Sequence, residues 1–260
     1  MHGMPPASPA ISANGLVGSL GSILKAAVVA GVIAGAAVTG FHSVLIEPVI
    51  DRAIQIEERL SRAQGEVAPQ PLVDRPTQRW GLVAGFLLYG ATWGLLYGVL
   101  VYVTRAWRTP SWTSAGGAFV LALLTGWSVA VFPFLKYPAN PPGVGEPGTI
   151  GYRQALYFGF IALSAAGTGL AVGFHRLLNR VARWAPTGRA RFMVALALYV
   201  LYAAGLYLAM PAYPDPVRMP AQLIWTFRAI SFAALVLFWV MLGGLFGWLS
   251  RRGAAGLERA

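Results

Sequence analysis

His42, Glu47 and Asp51 are the residues of this 260-residue chain whose types and spacing point most directly to chemistry. An imidazole with two carboxylates is a donor set suited to a divalent first-row metal. Glu47 and Asp51 are four apart, so on a continuous helix they share a face. His42 lies about 140° around a regular helix from Glu47, at about 100° per residue, and joins them only if the helix deforms. Pro48 removes a backbone hydrogen bond at this point, which predicts some deformation. Glu57 and Glu58 continue the acidic stretch. The competing reading is structural: Glu47 and Asp51 are wet interfacial acids paired with Arg52, and His42 is a packed polar residue.

Two further polar groups accompany this set. The segment 136–152 carries four Pro and four Gly, a composition that predicts a fixed, turn-rich path rather than a helix. Its polar residues Asn140 and Glu146, with Asp215 in a later loop, are candidates for the lining of an entrance. The segment serves equally as a stiff connector. Arg79, Arg153 and Arg228 each fall where a returning apolar block begins. They would ring the same mouth and favour anions or position the acids, or else snorkel and pair with Glu47 or Asp51.

Other chemistry is excluded or unsupported. The chain has no Cys, which removes disulfides, thiolate metal sites and thiol catalysis. There is no GxxxxGK[ST] phosphate loop, no HExxH and no Ser-His-Asp set, so neither an ATPase nor another enzyme is expected. No firmly bound cofactor is expected. The formal charge of +11 comes without a basic soluble domain and does not predict nucleic-acid binding.

The elements that position these residues are apolar blocks. Hydrophobic residues make up 57% of the chain and charged residues only 11%, against roughly 25% in soluble domains. Six blocks, near 25–46, 80–103, 112–135, 154–174, 192–210 and 230–249, are long enough to cross a bilayer core of about 30 Å. The fold class is an all-α integral membrane protein with about six transmembrane helices over 21–250. Outer loops fall at 50–79, 136–152 and 211–222, a flexible tail at 1–20 and a cytoplasmic tail at 251–260. With both termini inside, the inner segments hold 11 cations against one acid, and the outer segments 9 against 8. The positive-inside rule therefore predicts an N-in, C-in protein of a bacterial-type inner membrane.

Glycines four apart mark helix contacts: Gly31 with Gly35, Gly81 with Gly85, Gly90 with Gly94 and Gly98, Gly169 with Gly173, and Gly243 with Gly247. They predict a tight bundle with the second helix near its centre. Outgoing helices end at Pro and returning helices begin near Arg, which suggests three tandem helix hairpins.

In four places the chain resembles the CbtA family of predicted cobalt transporter subunits. These are His42 with Glu47-Pro48-Val49-Ile50-Asp51-Arg52-Ala53-Ile54 and Glu57; Tyr89-Gly90 and Gly94; Lys136-Tyr137-Pro138-Ala139-Asn140-Pro141-Pro142 through Thr149-Ile150 and Arg153; and Phe227-Arg228 through Trp239, Gly243, Gly244 and Gly247. The resemblance covers about residues 24–250, and the Pro- and Gly-rich loop is its most specific piece. It implies a membrane permease subunit for a divalent metal, cobalt as substrate, paired with a small single-helix, His-containing CbtB-like subunit, with oligomers allowed. The alternative is a non-transporting structural or assembly subunit of a larger membrane complex, since few ionisable groups lie deep in any block.

Overall fold

The computed structural model describes residues 19–63, 65, 73–106, 115–181, 187–213 and 219–257. Among them six helical spans are long and apolar enough to cross a membrane: Leu20–Ala63, Arg75–Thr104, Gly116–Lys136, Pro147–Val181, Gly188–Ala209 and Ala221–Arg251. The protein is a multi-pass helical membrane protein, as its hydropathy predicts.

The first span is longer than a bilayer needs. Helix α1 (Leu20–Phe41) starts at Ser19, whose hydroxyl accepts from the Ser22 backbone N–H at 3.3 Å. A π-helical turn over His42–Ile46 then leads without a break into α2 (Glu47–Ala63). At about 1.5 Å per residue the whole rod is roughly 66 Å long, twice the hydrocarbon thickness. The segment expected as a loop from residue 50 onward is thus helical as far as Ala63. Proline in a helix lacks an N–H and crowds the carbonyl four residues earlier. The π turn ends just ahead of Pro48, with the Glu47 N–H reaching back to the His42 carbonyl. That wider turn absorbs the defect, so the helix deforms at Pro48 and does not stop.

The third span repeats the device. Helix α4 (Ala115–Gly126) passes through a π turn over Trp127–Val131 into α5 (Phe132–Lys136), and Pro133 stands two residues after the turn, as Pro48 does after the first. The other spans are α3 (Arg75–Ala106), α6 (Ile150–Val181, after a 3₁₀ turn at Pro147–Thr149), α7 (Gly188–Ala209) and α8 (Ala221–Leu257).

Close packing is concentrated on a few glycines. A Cβ on Gly31 would lie 2.1 Å from the Gly90 carbonyl oxygen, one on Gly35 2.3 Å from that of Phe86, and one on Gly94 2.4 Å from that of Ala27. Helices α1 and α3 therefore meet backbone to backbone, as small residues at this spacing allow. A Cβ on Gly243 would instead crowd side chains, 2.7 Å from Ala122 Cβ and 3.0 Å from Phe119 Cδ2. Gly81, Gly85, Gly169 and Gly173 face open space and form no such contact.

The centre of the bundle is α8 rather than α3, which corrects the expectation from the glycine count. Helix α8 packs on α1, α4 and α2, and its Trp239, Leu242 and Phe246 are buried among Ala27, Ala30, Tyr97 and Ala122. Helices α6 and α7 form a second pair, joined to the core through the π turn and α5 around Phe132, Tyr137 and Phe160. Helices α7 and α8, successive in the chain, make few contacts with each other. The third of the expected hairpins is therefore not a packed unit.

Candidate functional site

The end of the bundle away from Leu20 and Leu257 holds those polar residues singled out by sequence that the structure describes. On α2, Glu47 and Asp51 stand one turn apart and point the same way. On α3, Arg75 and Arg79 do likewise, so an acidic i, i+4 pair meets a basic one. Arg75 Nη2 lies 2.9 Å from Glu47 Oε2 and 2.5 Å from Asp51 Oδ1. Arg79 Nε lies 3.1 Å from Glu47 Oε2, and its Nη2 3.2 Å from Asp51 Oδ2. Each guanidinium bridges both carboxylates, and the four formal charges cancel.

The box is graded in depth. The Glu47 side chain is 9% exposed, Arg75 30%, Asp51 39% and Arg79 56%. A buried carboxylate needs such compensation, because desolvating it alone costs several kcal/mol. Gln78 supports the arrangement: its Oε1 accepts from Arg75 Nη1 at 2.9 Å, while its amide donates to the Val73 carbonyl at 2.8 Å. A cleft of about 500 Å3, lined by Ser43, Glu47, Asp51, Arg79 and Trp80, opens beside the box. Arg52, the expected partner of the acids, is exposed, and Arg75 and Arg79 hold them instead. Pairing of Arg79 with Glu47 and Asp51 was one of the two readings of the outer arginines. Arg75 is the member of the box that the sequence does not single out, although its spacing to Arg79 mirrors that of the acids.

His42 does not complete a three-ligand set. Among the described residues no three His, Cys, Asp or Glu side chains converge. The His42 ring packs against Phe86 with centroids 5.3 Å apart, and its Nδ1 is buried without a hydrogen-bond partner. The π turn inserts one residue per turn and so brings His42 and Glu47 nearer the same face than a regular helix would.

The Pro- and Gly-rich segment follows a fixed path. Gly143 (φ +77°) and Gly145 (φ +101°) occupy left-handed backbone that favours glycine. A Cβ on Gly143 would stand 2.7 Å from Met219 Cε and 3.0 Å from the Glu57 carboxyl carbon. The segment is thereby docked on both α2 and the start of α8. Gly143→Ala is expected to cost about 1–3 kcal/mol from backbone strain and this crowding. Thermal unfolding in detergent checks it, with Gly148→Ala, whose Cβ would meet nothing within 4 Å, as the near-neutral control.

The remaining candidates sit around this segment. Asn140 Oδ1 accepts from Arg228 Nη2 at 2.8 Å, and the Glu146 backbone carbonyl accepts from Arg153 Nη2 at 3.3 Å. Arg153 and Arg228 thus brace the loop while Arg79 belongs to the charge box, so the three arginines serve two separate places and line no common cleft. Asp215 lies outside the described residues. Tyr137 donates to the Pro211 carbonyl at 2.7 Å and stacks on Tyr213 with centroids 4.6 Å apart. Burial, then the neighbouring Tyr137 and Tyr157, push the Tyr213 phenol up to about 12, against an opposing pull from Arg153. Burial likewise raises Tyr137. Both phenols stay neutral hydrogen-bond donors across the physiological range.

Six apolar spans, with a compensated charge box and an ordered loop gathered at one face, define a polytopic membrane protein with a built polar site at that face. The chain belongs to the CbtA family: the family model described as probable cobalt transporter subunit matches residues 20–251, all six spans included. No curated protein matches the chain, and no solved structure does.

Proposed function

We propose that this chain is the permease subunit of a cobalt transport system in a bacterial-type inner membrane, with both termini in the cytoplasm. It acts with a small single-helix, His-containing subunit. The observation that carries this reading is membership of a cobalt transporter subunit family over nearly the whole chain. The charge box supplies a mechanism in keeping with it. A divalent cation and the two guanidinium groups compete for the same oxygens of Glu47 and Asp51. When the metal arrives, Arg79, the more exposed cation, gives way first. When the metal leaves, Arg75 and Arg79 return and again compensate the buried Glu47. That return keeps binding weak enough for release. His42, one turn deeper, offers the imidazole nitrogen Nδ1 as a second station. Metal choice is left largely to the partner, since oxygen donors discriminate poorly among first-row divalent ions.

Cobalt accumulation in cells lacking this gene tests the reading. Re-expression of the chain with its small partner is expected to restore accumulation several-fold over the empty vector. Equal accumulation with and without the gene would refute transport and favour an assembly subunit.

A further inference from the structure

A groove lies between α8 and α7, floored by the end of α5, at the same end of the bundle as the charge box. It measures about 540 Å3 and is lined by Phe134, Leu135, Tyr207, Trp225 and Phe232. A second hollow of about 270 Å3 adjoins it, lined by Tyr137, Asn140, Val144 and Tyr213. Lys136, Tyr207 and Arg228 line both, so two cations stand where an apolar groove meets a polar chamber.

Among the described residues neither cation pairs with a carboxylate. Lys136 Nζ donates to the Tyr207 carbonyl at 2.8 Å and lies 4.8 Å from the Tyr207 ring centroid. Arg228 donates to Asn140, has its Cζ 5.6 Å from the Trp225 ring centroid, and keeps a buried Nε without an acceptor. Among the described residues no carboxylate lines either hollow. Two cations that meet no carboxylate among the described residues, beside an apolar slot at the end of membrane spans, call for a ligand with a negative head and a hydrocarbon tail.

We propose that this groove is a specific site for one anionic phospholipid. Its phosphodiester lies between Lys136 and Arg228, and an acyl chain runs along Phe134, Trp225 and Phe232. The lipid fills the gap between the two helices and ties the α6–α7 pair to the core. The bilayer supplies such a ligand directly, whereas a partner helix would have to bring a carboxylate to the same depth. This site is independent of the transport reading.

The full-length chain, purified in uncharged detergent, is titrated with phosphatidylglycerol and separately with phosphatidylethanolamine of the same acyl chains. Native mass spectrometry counts the lipids retained. One phosphatidylglycerol is expected, preferred by about 30-fold for two cations, and the preference is lost in Lys136→Gln with Arg228→Gln. Lys136→Arg with Arg228→Lys should keep it. Ala229→Trp, which fills the groove and spares both cations, should lower retention. Inorganic phosphate at equal concentration should not displace the lipid. The proposal is overturned if wild-type protein holds both lipids equally, if phosphate alone displaces the lipid, if Ala229→Trp binds as wild type, or if a partner helix occupies the groove and excludes lipid.

Discussion

Leucine at Gly90 is expected to leave essentially no folded protein in the membrane. Even a Cβ there would stand 2.2 Å from the Gly31 carbonyl oxygen and 3.3 Å from the Gly35 Cα. Those atoms are backbone, so no rotamer change relieves the clash, and the helices must separate. In lipid, helix association depends on close packing and not on apolar burial from water. Separation at Gly90 also gives up the contacts at Gly31, Gly35 and Gly94. Overpacking by a few carbons costs about 1–3 kcal/mol where side chains can shift, and here nothing can. Monodispersity and thermal unfolding after detergent extraction check the outcome. Gly169→Leu, which meets open space, should behave as wild type. A stable, monodisperse Gly90→Leu protein would contradict the α1–α3 interface.

Arg75→Glu is expected to be the most damaging single change in the charge box. It removes the less exposed of the two cations that bridge both acids and places a third carboxylate beside Glu47, whose side chain is 9% exposed, leaving Arg79 alone against three acids. Breaking a buried ion pair costs about 3–5 kcal/mol where the remaining charge is left buried without compensation, and here one half-exposed cation, Arg79, is left to balance three acids. The swapped pair, Glu47→Arg with Arg75→Glu, restores balance and should recover part of that loss. Arg52→Gln, on the exposed side of α2, should change stability by no more than about 0.5 kcal/mol. Denaturation in detergent distinguishes a coupled box from independent surface charges. A double swap no better than the single change would argue against coupling.

Much of this architecture is legible in the sequence, for reasons that also explain what is not. Six spans follow from apolar length alone. The shared face of Glu47 and Asp51 follows from helical spacing. The glycines at 31, 35, 90 and 94 announce close packing, but Gly169 and Gly173 carry the same signal, and a Cβ on either would meet nothing within 4 Å among the described residues. Spacing shows that a groove exists without showing which helix fills it. Pro48 and the charges beyond it read as the end of a helix, because sequence cannot show a π turn absorbing the missing hydrogen bond. The amphipathic spacing of Val49, Ala53 and Ile56 is the available sign that the helix continues. Arg75 escapes notice because 24 residues separate it from Asp51, and nothing local ties the two. The hairpin formed by the last two spans fails because chain adjacency does not dictate packing when each helix finds a better partner.

The most direct measurement is cobalt accumulation by cells whose only copy of this gene carries Glu47→Gln with Asp51→Asn. The amides keep an oxygen acceptor toward each guanidinium while removing both negative charges. Uptake per molecule of membrane-inserted protein is expected to fall to the level of the empty vector. Wild-type uptake by that variant would contradict the assignment of the charge box as the metal's first station.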